Sequence, residues 1–252
     1  MIDTHCHLYL PEFKDDLDEV MDRAAKAGVQ KFYLPAIDSD TFPAMMELEE
    51  RYKDKCFAMI GLHPCSVKEN YEQELEKLEE LLRTRRFAAI GETGLDLYWD
   101  KTFYNKQIIA LKIQIELGLQ YNLPVVLHTR NATMETIEII ESYAGKNLKG
   151  IFHCFGGSVE EAERIIAAGF YLGIGGVVTY KNAGLTEVLK YVELKHIVLE
   201  TDAPYLSPAP HRGKRNESSY LSFIAEKIAQ VKNISVQEVE EVTSANALMV
   251  FG

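Results

Sequence analysis

The chain has 252 residues, of which 47% are hydrophobic and 26% charged, the profile of a globular protein with a large core rather than of a disordered or fibrous one. Its formal net charge of −11 argues against a protein that coats duplex DNA non-specifically, although bound cations and one local basic cluster can offset that field at a nuclease site. No basic-apolar leader opens the sequence and no apolar run is long enough to cross a bilayer, so the expected location is the cytoplasm, with no membrane partner and no obligate protein partner evident.

Taken in chain order, short apolar runs alternate with amphipathic stretches from end to end. Strands are predicted at 1–7, 31–37, 56–63, 87–92, 124–128, 150–154, 171–176 and 196–201. They are rich in Ile, Val, Phe and Leu and poor in charge, as parallel strands buried on both faces are. Helical patterns fall between them at 15–27, 42–51, 71–83, 103–121, 134–143, 159–168 and 185–191. In the longest, Ile108, Leu111, Ile115 and Leu119 form one apolar stripe. Two terminal helices, 220–231 and 235–249, end the chain, the second opened by a Ser235/Glu238 capping-box signature.

Eight strands alternating with helices over 252 residues predict a (β/α)8 TIM barrel, as a single domain over 1–252. The rival is an open doubly wound sheet, weakened because no Gly-X-Gly-X-X-Gly turn follows the first strand. Cys6, Cys56, Cys65 and Cys154 show no Cys-X-X-Cys pairing and read as reduced.

The first strand ends in His5-Cys6-His7. Side chains alternate along a strand, so the two imidazoles share one face and Cys6 takes the other. Glu92, His128, His153, Asp202 and His63 likewise stand at the C-terminal ends of their predicted strands, where barrel active sites form. His196 begins the eighth strand, at the opposite face, and receives no role. Any one of these residues alone reads as a satisfied polar strand end. As a set, His5, His7, Glu92, His128, His153 and Asp202 exceed what one tetrahedral zinc takes. They suit two divalent ions sharing a bridging carboxylate. Glu92 is the bridge candidate, with His5, His7 and Asp202 completing one ion and His128 and His153 the other.

These residues lie in segments that resemble the TatD-type metal-dependent deoxyribonucleases, a branch of the amidohydrolase-like barrels. The segments are Asp3-Thr4-His5-Cys6-His7-Leu8, Gly61-Leu62-His63-Pro64, Gly91-Glu92-Thr93-Gly94-Leu95-Asp96 and Leu123-Pro124-Val125-Val126-Leu127-His128-Thr129-Arg130. Further along stand His153-Cys154-Phe155-Gly156-Gly157, Glu200-Thr201-Asp202-Ala203-Pro204-Tyr205-Leu206 and Arg212-Gly213-Lys214-Arg215-Asn216-Glu217, with Asn246 and Phe251 in the tail. The resemblance implies divalent-metal-dependent phosphodiester hydrolysis, typically of DNA from a 3′ end, and its ligand pattern falls on the same six residues. Tyr9 stands where the family usually has Asp, and Ser218 where Pro is common. Both bear on loop shape and substrate preference, not on a ligand.

The run His211-Arg212-Gly213-Lys214-Arg215 follows the eighth strand, where barrel loops often hold phosphate. Arg212 is the favoured phosphate contact, Lys214 and Arg215 less firmly, because guanidinium groups bind phosphate bidentately. His63 reads either as a donor to a phosphate oxygen or as a structural hydrogen bond. Arg130 is a weaker substrate candidate, and Glu200 reads as a buried ion-pair partner or as orienting a histidine. The expected mechanism activates a water with divalent ions (Zn, Mn, Mg, Co or Ni), Asp202 taking its proton while Arg212 steadies the phosphoryl charge. Single-stranded DNA is the expected substrate. The alternative is a metal-dependent acyl or amide hydrolase such as an aminoacyl-tRNA deacylase. Against its amidohydrolase version, the fourth strand carries Glu92 rather than a lysine open to carboxylation.

Overall fold

The computed structural model describes residues 1–252, and they form a (β/α)8 barrel. The parallel strands are β1 (Ile2–Asp3), β2 (Lys31–Pro35), β3 (Cys56–Met59), β4 (Ile90–Asp96), β5 (Val125–Arg130), β6 (Gly150–Phe152), β7 (Phe170–Ile174) and β8 (Ile197–Leu199). Two ladders, β1-β2-β3 and β4 to β8, are joined by bridges Ile60–Ile90 and Cys6–Ala203. The second seam is reinforced where Asp3 accepts from the Thr201 backbone N–H (3.0 Å) and hydroxyl (2.6 Å), tying the first strand to the last.

The helices α1 (Leu17–Lys26), α2 (Phe42–Arg51), α3 (Tyr71–Thr84), α4 (Tyr104–Tyr121), α5 (Thr133–Glu141), α6 (Val159–Ala167), α7 (Leu185–Tyr191), α8 (Leu221–Lys232) and α9 (Val236–Phe251) follow the predicted pattern closely. The Ser235 hydroxyl accepts from the Glu238 amide, half of the expected capping box. The complete box is at α6, between Ser158 and Glu161. A large apolar cluster fills the space between helices and strands. A smaller one lies inside the barrel, where Ile2, Tyr33, Met59, Ala89, Val126, Ile151 and Val198 meet Ala247 and Val250 of α9. Asn246 donates to the carbonyls of Leu194 (2.9 Å) and Ile197 (2.7 Å) at the start of β8, so α9 closes the N-terminal end of the barrel.

All the predicted strands shift at their ends, 56–63 stopping at Met59, and two of the differences shape the opposite end. The expected strand 1–7 stops at Asp3, and the chain bends at Thr4–His5. Cys6 joins the outer apolar cluster while His5 and His7 turn inward. The expected strand 87–92 is displaced to Ile90–Asp96, with a register shift against β5 between Ile90 and Thr93. Such an irregularity re-aims a side chain, and here Glu92 projects into the barrel mouth. Gly94, at φ +140°, lies so close to β5 that a Cβ would sit 2.0 Å from the His128 carbonyl oxygen.

Candidate metal centre

Glu92 is buried at the centre of the C-terminal mouth, and its two carboxylate oxygens face different partners. Oε2 lies 3.1 Å from His5 Nε2 and 3.7 Å from His7 Nε2, and Asp202 Oδ1 is 3.7 Å from each of those nitrogens. Oε1 lies 2.8 Å from His128 Nδ1, 3.1 Å from His153 Nε2 and 3.5 Å from His63 Nε2. All six predicted ligands therefore meet, and His63 joins them. His196 sits in the turn before β8, away from this mouth.

The outer nitrogen of each imidazole decides what its inner nitrogen offers. His128 Nε2 is 2.9 Å from Asp96 Oδ2, and His153 Nδ1 is 3.1 Å from Glu200 Oε1. A carboxylate only accepts, so both outer nitrogens carry protons. Burial opposes a second proton on either ring, but Asp96 and Glu92 raise the pKa of His128, and Glu92 and Glu200 that of His153; without that second proton each ring turns a lone pair toward Glu92. Tyr9, expected to bear on no ligand, does touch one: its hydroxyl donates to the Pro35 carbonyl (2.6 Å) and is therefore the acceptor for His7 Nδ1–H at 3.0 Å, again leaving Nε2 free inward. His63 is the opposite case. Its Nδ1 accepts from the Cys65 amide (3.0 Å), so a neutral ring carries its proton on Nε2 and presents a donor. His5 is fully buried, stacked 3.7 Å from His153, and neither of its nitrogens has a hydrogen-bond partner.

The cluster is thus rich in acceptors held at contact distance, which protons on the imidazoles or cations between them reconcile. Carboxylate-backed histidines around a shared carboxylate are a donor set for divalent metal, and the residues present fit such ions. The charges respond accordingly. Burial opposes ionisation of Glu92, but His153, His5 and His63 hold its carboxyl well below the ordinary range. Burial raises Asp202 to about 7, with His153 opposing and Glu92 and Glu200 assisting. A cation beside Asp202 would draw it back down. Burial and the neighbouring His153 lower His5 to about 4. Backbone strain gathers here too, with Asp202 at φ 57° and Cys154 at φ 49°.

Several supporting residues escaped the sequence reading. Asp96 is buried and holds His128. Two glutamines on the inner face of α4 brace the strand ends. Gln107 bonds both backbone groups of Asp96, while Gln114 bonds both of Leu62 and the Thr93 hydroxyl. Their signal was two polar residues seven apart on a face that otherwise packs Ala110, Leu111 and Gly118. Glu200 takes the orienting role, also accepting from the Cys154 amide at 2.5 Å, and Gly173 leaves room for its carboxylate.

The substrate candidates divide. Arg212 and Lys214 are exposed, and the Arg212 guanidinium lies over Tyr180, 4.1 Å from the ring centroid. Arg130 is exposed and stacks on Tyr98. Arg215 is removed from consideration because Asp16 binds it through both carboxylate oxygens, at 2.7 and 2.6 Å.

A parallel barrel with this histidine–carboxylate cluster at its C-terminal mouth defines a metal-dependent hydrolase of the amidohydrolase-like class. Comparison with known proteins narrows it. The family described as TatD related DNase matches residues 2–252. The Bacillus subtilis (strain 168) protein named uncharacterized metal-dependent hydrolase YabD is 38% identical over 252 residues, covering 100% of this chain and 98% of its own. Human deoxyribonuclease TATDN3 is 34% identical, with 100% of this chain and 94% of that protein covered. The crystal structure of YjjV, a TatD homolog from Escherichia coli K12, superposes with a TM-score of 0.94 at 30% identity, covering 100% of this chain and 97% of that one. The chain belongs to the TatD-related DNase family.

Proposed function

We propose that this protein is a two-metal phosphodiesterase that removes nucleotides from the 3′ end of single-stranded DNA. The observation that carries the reading is Glu92, whose two oxygens face two separate sets of imidazoles. His5, His7, Asp202 and Glu92 would hold one ion, and His128, His153 and Glu92 the other. When bound, divalent ions supply Lewis acidity toward the phosphoryl oxygens and make water nucleophilic near neutral pH.

The chain's own groups complete the chemistry. Asp202 takes the proton of the attacking water. As the new P–O bond forms, the P–O bond in line with it breaks, and the leaving oxygen takes a proton from solvent. His63 Nε2–H donates to a phosphoryl oxygen as its charge grows, a role its Cys65-fixed tautomer supports. Arg212, with Lys214 and Arg130, steers and holds the backbone phosphates of an otherwise acidic protein's substrate.

The test is cleavage of 3′-labelled single-stranded DNA after chelation and after add-back of individual metals. Activity should vanish on chelation, return with metal and be absent in Glu92→Ala and Asp202→Asn at unchanged fold. Wild-type activity in a folded Glu92→Ala variant overturns the bridging role. Release of amino acid from aminoacyl-tRNA by the same metal-loaded sample, with DNA left intact, replaces this reading with the deacylase.

A further inference from the structure

The loop after β4 carries the chain's only tryptophan, and it is turned out to solvent: Trp99 is 68% exposed and its neighbour Tyr98 51%. Large aromatic side chains held in water at a rim lose apolar burial with no packing return, so they mark a contact surface. Two features make this one specific. The exposed Arg130 guanidinium lies 3.9 Å from the Tyr98 ring centroid and 5.2 Å from that of Trp99, so a cation free of any carboxylate partner is built into the aromatic pair. The loop is also pinned to the cluster. Asp96 Oδ1 accepts the Tyr98 amide (2.9 Å) and the Trp99 amide (3.1 Å), while its Oδ2 takes His128 Nε2. One carboxylate therefore sets both the His128 ring and the aromatic pair.

We infer that Tyr98, Trp99 and Arg130 form a stacking platform for an unpaired nucleobase of the strand whose phosphodiester lies at the metal centre. This rests on the phosphodiesterase reading above. A π-face with an adjacent guanidinium is how proteins hold single-stranded nucleic acid without reading its sequence, because every base has a face to stack. Interior bases of a duplex are already stacked on both sides and offer no face to Trp99. The platform thus selects single strands and frayed ends, and the Arg130 guanidinium supplies local positive charge on a chain of net charge −11.

Because Trp99 is the only tryptophan, fluorescence excited beyond the tyrosine absorption band reports the platform alone. The metal-loaded enzyme is titrated with a phosphorothioate-linked oligothymidylate, and with the same strand made abasic at single positions. KM and kcat are then measured on normal single-stranded DNA for Trp99→Ala and Trp99→Phe. Expected are quenching by the intact strand, loss of quenching with one abasic position, and a KM raised on the order of tenfold in Trp99→Ala. The kcat should stay within about twofold and Trp99→Phe should recover most of the KM, since stacking acts on binding rather than on chemistry. Cleavage by the wild type without quenching, and with Trp99→Ala unchanged in KM, overturns the platform and leaves the nuclease standing. Neither cleavage nor quenching by the wild type overturns both.

Discussion

Replacing Asp96 by Asn changes one atom and tests how the site is organised. Asparagine retains Oδ1 for the Tyr98 and Trp99 amides but places an NH2 where Oδ2 stood, 2.9 Å from His128 Nε2. Two donors then meet. Flipping the amide only moves that clash onto the two backbone amides. The imidazole relieves it by shifting its proton to Nδ1, which points N–H at Glu92 Oε1, 2.8 Å away, and leaves no lone pair there for a metal. Outer partners of ligand histidines contribute about 10–100-fold to metal affinity or activity, so the weaker of two metal-binding steps should lose that much. The assay is calorimetric titration of Mn or Zn into chelated protein, alongside cleavage at limiting and saturating metal. The effect should also vanish in a His128→Ala background, since Asp96 acts through that ring. Undiminished metal affinity in folded Asp96→Asn, or full additivity with His128→Ala, refutes the reasoning.

Three further outcomes are expected. His63→Phe should lower kcat by about 10²–10³, the usual cost of one transition-state donor, while metal content measured by atomic emission stays at the wild-type level; lost metal would make His63 a ligand instead. Tyr9→Phe removes the acceptor that fixes the His7 tautomer and should weaken metal binding about tenfold, with the melting temperature of the metal-free protein little changed. Glu217 is buried, which alone would raise its pKa, but its paired bonds to Arg23 (2.8 and 2.6 Å) hold it below the ordinary value. A depressed folded pKa contributes stability that is present above the unfolded value of about 4.3 and is lost as pH falls through the folded one. Glu217→Gln should therefore cost about 1–2 kcal/mol near neutrality, a figure discounted for solvent around Arg23. The two proteins should begin to converge in melting temperature as pH falls below about 4.3 and meet only after it has passed the depressed folded value.

Periodicity alone revealed most of the fold, because strands buried on both faces and helices with one apolar face leave opposite signatures. The rim was legible for a related reason: His128, His153 and Asp202 each stand at or just past the end of a short, mostly apolar run, so the strand direction places them at one end. What alternation could not supply was local backbone geometry. Strict parity from Ile2, whose side chain lies inside the barrel, would put Thr4 and Cys6 inward. The bend at Thr4–His5 reverses this, so His5 and His7 reach the mouth by a route that strand alternation does not describe. Glu92 turns inward through a register shift visible only once β4 pairs with β5. Asp96, Gln107 and Gln114 were hidden because their partners are backbone groups or another side chain far away in sequence.

The histidines around Glu92 look equivalent in sequence, yet their outer contacts sort them into different chemical kinds. Asp96, Glu200 and Tyr9 take protons from the outer nitrogens of His128, His153 and His7, so those rings offer lone pairs inward. The Cys65 amide gives a proton to His63, so that ring offers N–H inward. A shared strand-end position cannot tell a ligand from a donor; the atom on the far side of the ring can. The same sorting explains the cost of the metal-free state. Lone pairs at 2.8 and 3.1 Å from one carboxylate oxygen repel unless imidazoles protonate or cations enter. Protonation can relieve His128 and His153, but it leaves His5 buried with neither nitrogen bonded. Cations would take the inward lone pairs of all three rings, His5 Nε2 included, so the strain of this arrangement favours metal binding.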